Sequence, residues 1–196
     1  MKYCYLLSLL FLWCSFSHAS DPSRGYLITK NGKKLTGVIG EIYHSQYGSQ
    51  VIFINDFGNT YSIHSALVRG FALQKGSEVV FYESRYLRKR WQFLLVVYKG
   101  EELSLYKGSE PEYQEIGPLS FIHYYQEEPT QFWVENQSFR MSKVARIGFR
   151  RKMRKLLSVQ APKLASKIGK PGYRFSNLLE IVDEFNKICR KNEKLL

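Results

Sequence analysis

Six basic residues fall within ten positions in the last third of the chain: Arg146, Arg150, Arg151, Lys152, Arg154 and Lys155. Ile147, Phe149 and Met153 interrupt them, so a helix through this stretch carries an apolar stripe beside a cationic face. Segments of that kind adsorb to anionic lipid or other polyanion surfaces, with each charge near an anionic membrane contributing about 1 kcal/mol. The same residues fit a plainer role, in which Met153, Leu156 and Leu157 dock the helix on a sheet and the charges face water. A second basic run, Arg85, Arg88, Lys89 and Arg90, lies beside Tyr86 and Trp91. It reads either as the frame of an anion-binding loop or as charges that keep an edge strand soluble.

Other chemistry has less support. His44, His64 and His123 are far apart and lack the close pairing or carboxylate partner of a histidine metal site, although Glu127 and Glu128 follow His123 and could join it if the fold converges. There is no Gly-x-Ser-x-Gly elbow, and Cys189 on a terminal helix is badly placed for a nucleophile. The adjacent carboxylates Glu101-Glu102 and Glu127-Glu128 point to opposite faces of a strand and cannot share a substrate. Tyr124, Tyr125, Phe132 and Trp133 form an aromatic group that suits either a ligand groove or a core. We read the chain as non-catalytic, with no cofactor and no metal.

The formal net charge of +12 is unevenly spread. Residues 20 to 139 hold twelve Lys or Arg against thirteen Asp or Glu, whereas residues 140 to 196 hold sixteen against four. The excess positive charge therefore belongs to the C-terminal part, which points to an anionic partner.

Residues 1 to 19 read as an export signal: Lys2 at the start, an apolar run over residues 3 to 16, and small residues flanking His18 in Ser17-His18-Ala19. The run is shorter than the about 20 apolar residues that span a bilayer, so we expect no transmembrane segment after cleavage and a periplasmic or secreted location. Cys14 would suit a lipoprotein signal only with a small residue before it, and Trp13 stands there. Loss of Cys4 and Cys14 with the leader leaves Cys189 alone, which excludes an internal disulfide and leaves a thiol that is either buried or available to another chain. Export also argues against nucleic acid as a partner. Anionic envelope lipid or polysaccharide is the partner class that the charge favours.

These residues need a scaffold, and 44% hydrophobic with 15% aromatic residues can build one. Over residues 25 to 141, short apolar alternations separated by turn residues predict about nine antiparallel strands, as a curved sheet or open barrel. Asn31-Gly32 predicts a two-residue hairpin turn, and Asn55-Asp56-Phe57-Gly58-Asn59 a second turn. Residues 93 to 97 are apolar on both faces and predict a central strand, residues 110 to 118 a loop, and residues 119 to 126 a further strand.

Beyond Met141 the period lengthens toward 3.6: Val144, Ile147, Met153, Leu156 and Leu157 mark one helix, which Gly148 could instead begin. Pro162 opens a second helix over Leu164, Ala165 and Ile168, and Phe175, Leu178, Leu179, Val182, Phe185 and Cys189 mark a third. The expected class is α+β, with an antiparallel β region over residues 20 to 142 and a basic helical region over residues 143 to 196 packed on it.

The opening Gly25-Tyr26-Leu27-Ile28-Thr29-Lys30-Asn31-Gly32 with Gly37, the later Gly70-Phe71, Leu103-Ser104-Leu105-Tyr106 and the closing helix resemble exported proteins of Bacteroidetes-type bacteria to which no activity attaches. The resemblance implies export and an α+β fold. Such proteins carry an Asp-Cys-Pro ahead of the second helix and an Asn-x-Cys near the end, which could form a disulfide. Here Gln160-Ala161-Pro162 replaces the first, while Asn186-Lys187-Ile188-Cys189 roughly keeps the second. The expected function is that of an exported, non-catalytic envelope or binding protein; the alternative is a peripheral binder of anionic membrane or polysaccharide through residues 146 to 155, and an enzyme with an unrecognised site comes third.

Overall fold

Turn chemistry sets the strand boundaries in the computed structural model, which describes residues 23–45, 47–108 and 131–193. The strands are β1 (Ser23–Thr29), β2 (Lys34–Ser45), β3 (Gly48–Asn55), β4 (Thr60–His64), β5 (Val68–Lys75), β6 (Glu78–Leu87), β7 (Arg90–Tyr98), β8 (Leu103–Gly108), β9 (Gln131–Asn136) and β10 (Met141–Val144). Three helices follow, α1 (Phe149–Leu157), α2 (Pro162–Lys167) and α3 (Leu178–Glu193). The class is α+β, as the sequence pattern predicts. The leader, the expected loop and strand over residues 110 to 126, and His123, Tyr124, Tyr125, Glu127 and Glu128 lie outside the described residues.

Three hairpins share one loop geometry. At β1–β2 the Thr29 N–H donates to the Lys33 carbonyl at 2.9 Å and the Gly32 N–H to the Thr29 carbonyl at 3.0 Å, so the loop has three residues rather than the predicted two, and Gly32 takes the left-handed position at φ +83°. At β3–β4 the equivalent bonds join Asn55 to Asn59 at 3.0 Å and Gly58 to Asn55 at 2.9 Å, with Gly58 at φ +82°. At β9–β10 they join Asn136 to Arg140 and Phe139 to Asn136, and there the left-handed residue is Phe139, at φ +55° and 81% exposed. A two-residue turn with positive φ at both positions does occur, at Arg88 and Lys89 between β6 and β7.

The ten strands among the described residues form one open sheet in the order β10-β9-β8-β7-β6-β5-β1-β2-β3-β4. All neighbours in that order are antiparallel. The sheet curls until β3 touches β7 in a single parallel pair, Gly48 with Trp91. Gly48 has φ +133°, and a Cβ there would lie 2.5 Å from the Trp91 carbonyl oxygen and 2.8 Å from His64 Nε2. Only glycine allows that approach. Strands β6 and β7 are interior, so the run from Arg85 to Arg90 does not guard a sheet edge, contrary to one of its two expected roles.

Alternation distributes the core over both faces. Leu27, Ile39, Val51, Phe53, Val68, Phe71 and Phe93 fill the concave side of the curl. On the flatter wing, Leu103 and Leu105 of β8, Val134 of β9 and Val144 of β10 face the helices, which bury Phe149, Met153, Leu157, Leu164, Ile168, Ile181, Val182 and Phe185 against them. Leu87, Leu94, Tyr106 and Trp133 make a third cluster on the wing's other face.

Two predicted boundaries move. The sheet continues through Val144, and the helical period begins at Phe149 after Gly148, which has φ +77°. Val144 is therefore a strand residue and Ile147 a turn residue, outside the helix assigned to them. On α3, Ile181 is buried and Leu179 is 42% exposed, while Leu178, Val182, Phe185 and Cys189 are buried as expected.

Candidate functional site

Helix α1 shows why two readings of its sequence coexist. At 100° per residue, Phe149, Met153 and Leu157 lie on one narrow stripe, and all three are buried under the sheet. Burying them is worth about 1.5–3 kcal/mol each, whereas like charges at i, i+4 such as Arg150–Arg154 and Arg151–Lys155 cost a few tenths of a kcal/mol per pair. Packing wins, so the helix holds while Arg150, Arg151, Lys152 and Lys155 remain exposed.

The structure divides the six basic residues among three places. Arg146 is exposed in the turn before α1. Arg150 and Arg154 flank the buried stripe: the Arg150 stem covers Gly169, where a Cβ would lie 2.9 Å from Arg150 Cδ, and Arg154 is half-buried with its Nε sheltered and without a hydrogen-bond partner. Arg151, Lys152 and Lys155 point away from the sheet and, with Lys143 of β10, Ala145, Ile147 and Gly148, line an open groove of about 560 Å³. Lys143 was not in the expected set; its place on β10 brings it there.

Among the described residues, the charges that line this groove are all of one sign. Between Glu135 and Glu180 the sequence holds twelve Lys or Arg and no Asp or Glu. None of the six basic residues of the cluster forms an ion pair among the described residues. The first turn of α1 has no acidic residue and Gly148 offers no side-chain cap, so Arg150, Arg151 and Lys152 oppose the positive end of the helix dipole. A bound anion would relieve that opposition.

A second polar constellation lies on the sheet face away from the helices. Tyr106, fully buried on β8, accepts from Arg85 Nη2 at 2.9 Å and from Lys99 Nζ at 2.9 Å, and its hydroxyl is 2.9 Å from both Glu83 Oε2 and Glu135 Oε2. One phenol proton can go to only one of those carboxylates. The cations hold the rest: Arg85 Nη2 reaches Glu83 at 2.5 Å, Arg85 Nε lies 2.9 Å from Glu135 Oε1, and Lys99 bonds Glu83 at 2.8 Å. Burial opposes ionisation of Glu83, but the Lys99 hydrogen bond and the Arg85 charge outweigh it and leave its pKa below the ordinary value. Burial and the two carboxylates raise the Tyr106 pKa against the pull of Arg85. The charges balance two against two, which suits a clasp joining β6, β8, β9 and the loop after β7 rather than a site that awaits a ligand.

The histidines separate. His44 pairs in register with Ser49 and His64 with Gln50, successive residues of β3, which puts them on opposite faces. His44 Nδ1 lies 2.8 Å from Ser49 Oγ, and burial, then the nearby Arg90 charge, lowers its pKa to about 4. His64 Nδ1 accepts from the Ala66 N–H at 3.1 Å and caps the turn Ser65–Leu67. No group of three or more His, Cys, Asp or Glu among the described residues could hold a metal ion.

Glu101 is exposed and Glu102 buried in the turn before β8, where Glu102 accepts from Gln160 at 2.7 Å and from Gln137. Phe132 packs toward the helices and Trp133 away from them, so they do not form one aromatic group. Cys189 is buried in the stripe of α3.

No family model, curated protein or solved structure matches the chain. No helix among the described residues is long and apolar enough to cross a membrane.

Proposed function

We propose that the protein is an exported, non-catalytic binding protein that attaches to polyanionic surfaces of the cell envelope through the basic groove between β10 and α1. One observation carries this reading: Lys143, Arg151, Lys152 and Lys155 line the same open groove, in a stretch of chain that holds no acidic residue. Three exposed charges of one sign on a docked helix, Arg151, Lys152 and Lys155, do nothing for the fold that neutral residues would not do better, since like charges at i, i+4 and basic residues in a first turn are both unfavourable. They suit an anionic partner. The leader-like residues 1 to 19 and the likeness to exported bacterial proteins support an envelope location.

The test is adsorption to a polyanion as salt is raised. Wild-type protein should bind immobilised dextran sulfate at low salt and elute with a steep salt dependence, because exposed charges are screened within about 10 Å at 0.1 M. Reversing Arg151 and Lys152 to Glu should abolish retention. Retention unchanged by the reversal, or absent from the start, rejects the reading.

A further inference from the structure

We propose that the polyanion this groove takes is the headgroup layer of an anionic bilayer, with Ile147 entering the acyl region as an apolar anchor; the inference rests on the polyanion-binding reading above. Ile147 is 94% exposed, in the turn between β10 and α1, and it lines the groove beside Lys143, Arg151, Lys152 and Lys155. Single exposed apolar residues are common and need no explanation. What distinguishes this one is its company: an exposed aliphatic side chain that shares a groove lining with four cations matches the layering of a membrane, where phosphates lie a few ångströms outside hydrocarbon. The uncharged parts of a polysaccharide ask for something else, namely paired amide or carboxylate side chains for sugar hydroxyls and aromatic rings for sugar faces. Among the described residues the groove lining has neither; besides its cations these are Ala145, Ile147 and Gly148. Charge complementarity thus selects an anion, and the exposed apolar side chain selects a lipid.

The experiment compares the full chain and four variants on two surfaces: vesicles of equal parts phosphatidylglycerol and phosphatidylcholine, and immobilised dextran sulfate. Ile147→Asn should weaken vesicle binding about tenfold, the scale for withdrawing one aliphatic side chain from hydrocarbon, while dextran sulfate retention and its salt dependence stay at wild-type values. Ile147→Leu should bind vesicles as wild type does. Val159→Asn is the control, since Val159 is 87% exposed but does not line the groove, and it should change nothing. Vesicle binding unchanged in Ile147→Asn, or weakened equally by Val159→Asn, overturns the anchor. A parallel loss on both surfaces in Ile147→Asn overturns it as well. Failure of the underlying reading looks different: Arg151→Glu/Lys152→Glu then binds both surfaces as wild type does, or wild type binds neither. Ile147 has almost no contacts to lose, and unchanged circular dichroism and thermal midpoint confirm that each variant is folded.

Discussion

The side-chain amide of Asn186 holds Leu103 at both of its backbone polar groups: Oδ1 accepts from the Leu103 N–H at 3.1 Å and Nδ2 donates to the Leu103 carbonyl at 2.8 Å. The same amide accepts from the Glu102 N–H at 3.0 Å and donates to the Val182 carbonyl at 2.8 Å. One buried side chain thereby replaces a missing strand partner at the start of β8 and fixes α3 against the sheet. Gly100 leaves room for it, since a Cβ there would collide with the Asn186 amide. Asn186→Ala strands two N–H groups and a carbonyl in a dry place and should cost about 3 kcal/mol. Chemical denaturation measures this directly, and a loss under about 1 kcal/mol would show that water replaces the amide.

The Tyr106 clasp makes a graded prediction. Arg85→Met leaves Glu135, 7% exposed, without its cation and should cost about 3 kcal/mol, whereas Lys99→Met removes a half-exposed partner and should cost under about 1 kcal/mol. Arg85→Met combined with Glu135→Gln should be far less damaging than the sum of the two single changes, because the second removes the charge that the first exposes. A double-mutant cycle by urea denaturation tests this; additive costs would mean that the two residues do not interact.

Acid should weaken the fold through His44. Its folded pKa, about 4, lies below the ordinary histidine value of 6.5, so the folded state binds the proton less readily than the unfolded chain does. The contribution is complete above about pH 6.5, erodes as pH falls and is gone by about pH 4, with a ceiling of about 3 kcal/mol. Glu83, whose pKa is also lowered, adds loss of the same sign below its ordinary range. His44→Gln should flatten the stability profile between those limits. A profile as steep as wild type would place the titration elsewhere.

Phe139 should be replaceable at a gain. It holds the left-handed loop position that Gly32 and Gly58 hold in the two equivalent hairpins, and its ring is exposed. Phe139→Gly relieves a conformation that costs a non-glycine residue about 1 kcal/mol and should raise the thermal midpoint by a few degrees. A lower midpoint would mean that the ring makes a stabilising contact.

The basic face should trade stability for binding. Arg151→Glu places an acid in the first turn of α1, complements the dipole and removes a like-charge pair with Lys155, so it should stabilise by about 0.5 kcal/mol while it weakens polyanion retention. A variant both less stable and unchanged in binding contradicts both halves of the argument.

Much of this architecture was legible in local chemistry. The glycines of the Asn31-Gly32 and Asn55–Asn59 loops, the two-residue alternation and Pro162 at the head of α2 each act over a few neighbours, and each appears where the pattern puts it. Strand β10 was not legible: Met141 to Val144 is four residues long, interrupts its apolar residues with Ser142 and Lys143, and merges with the apolar spacing of α1. The Arg85, Tyr106 and Glu135 clasp was invisible for another reason. Its members are brought together by register alone, Tyr106 opposite Trp133 and Ser104 opposite Glu135, and the only hint is charged residues at Glu83 and Arg85 on one face of a strand that turns out to be interior. In the basic groove the cations were readable, but the partition between Arg150, Arg154 and the groove-lining three depends on where the helix starts.

Strand β7 belongs to every part of the interior at once, lending Phe93 to the curled half, Leu94 to the outer face of the wing and Val97 with Tyr98 to the helix side. No cut along the chain therefore separates a self-sufficient sheet from a dispensable helical tail. Heat or denaturant should melt the tryptophan environment and the helical signal together, and a fragment ending before α1 should fail to fold even though all its strands are intact.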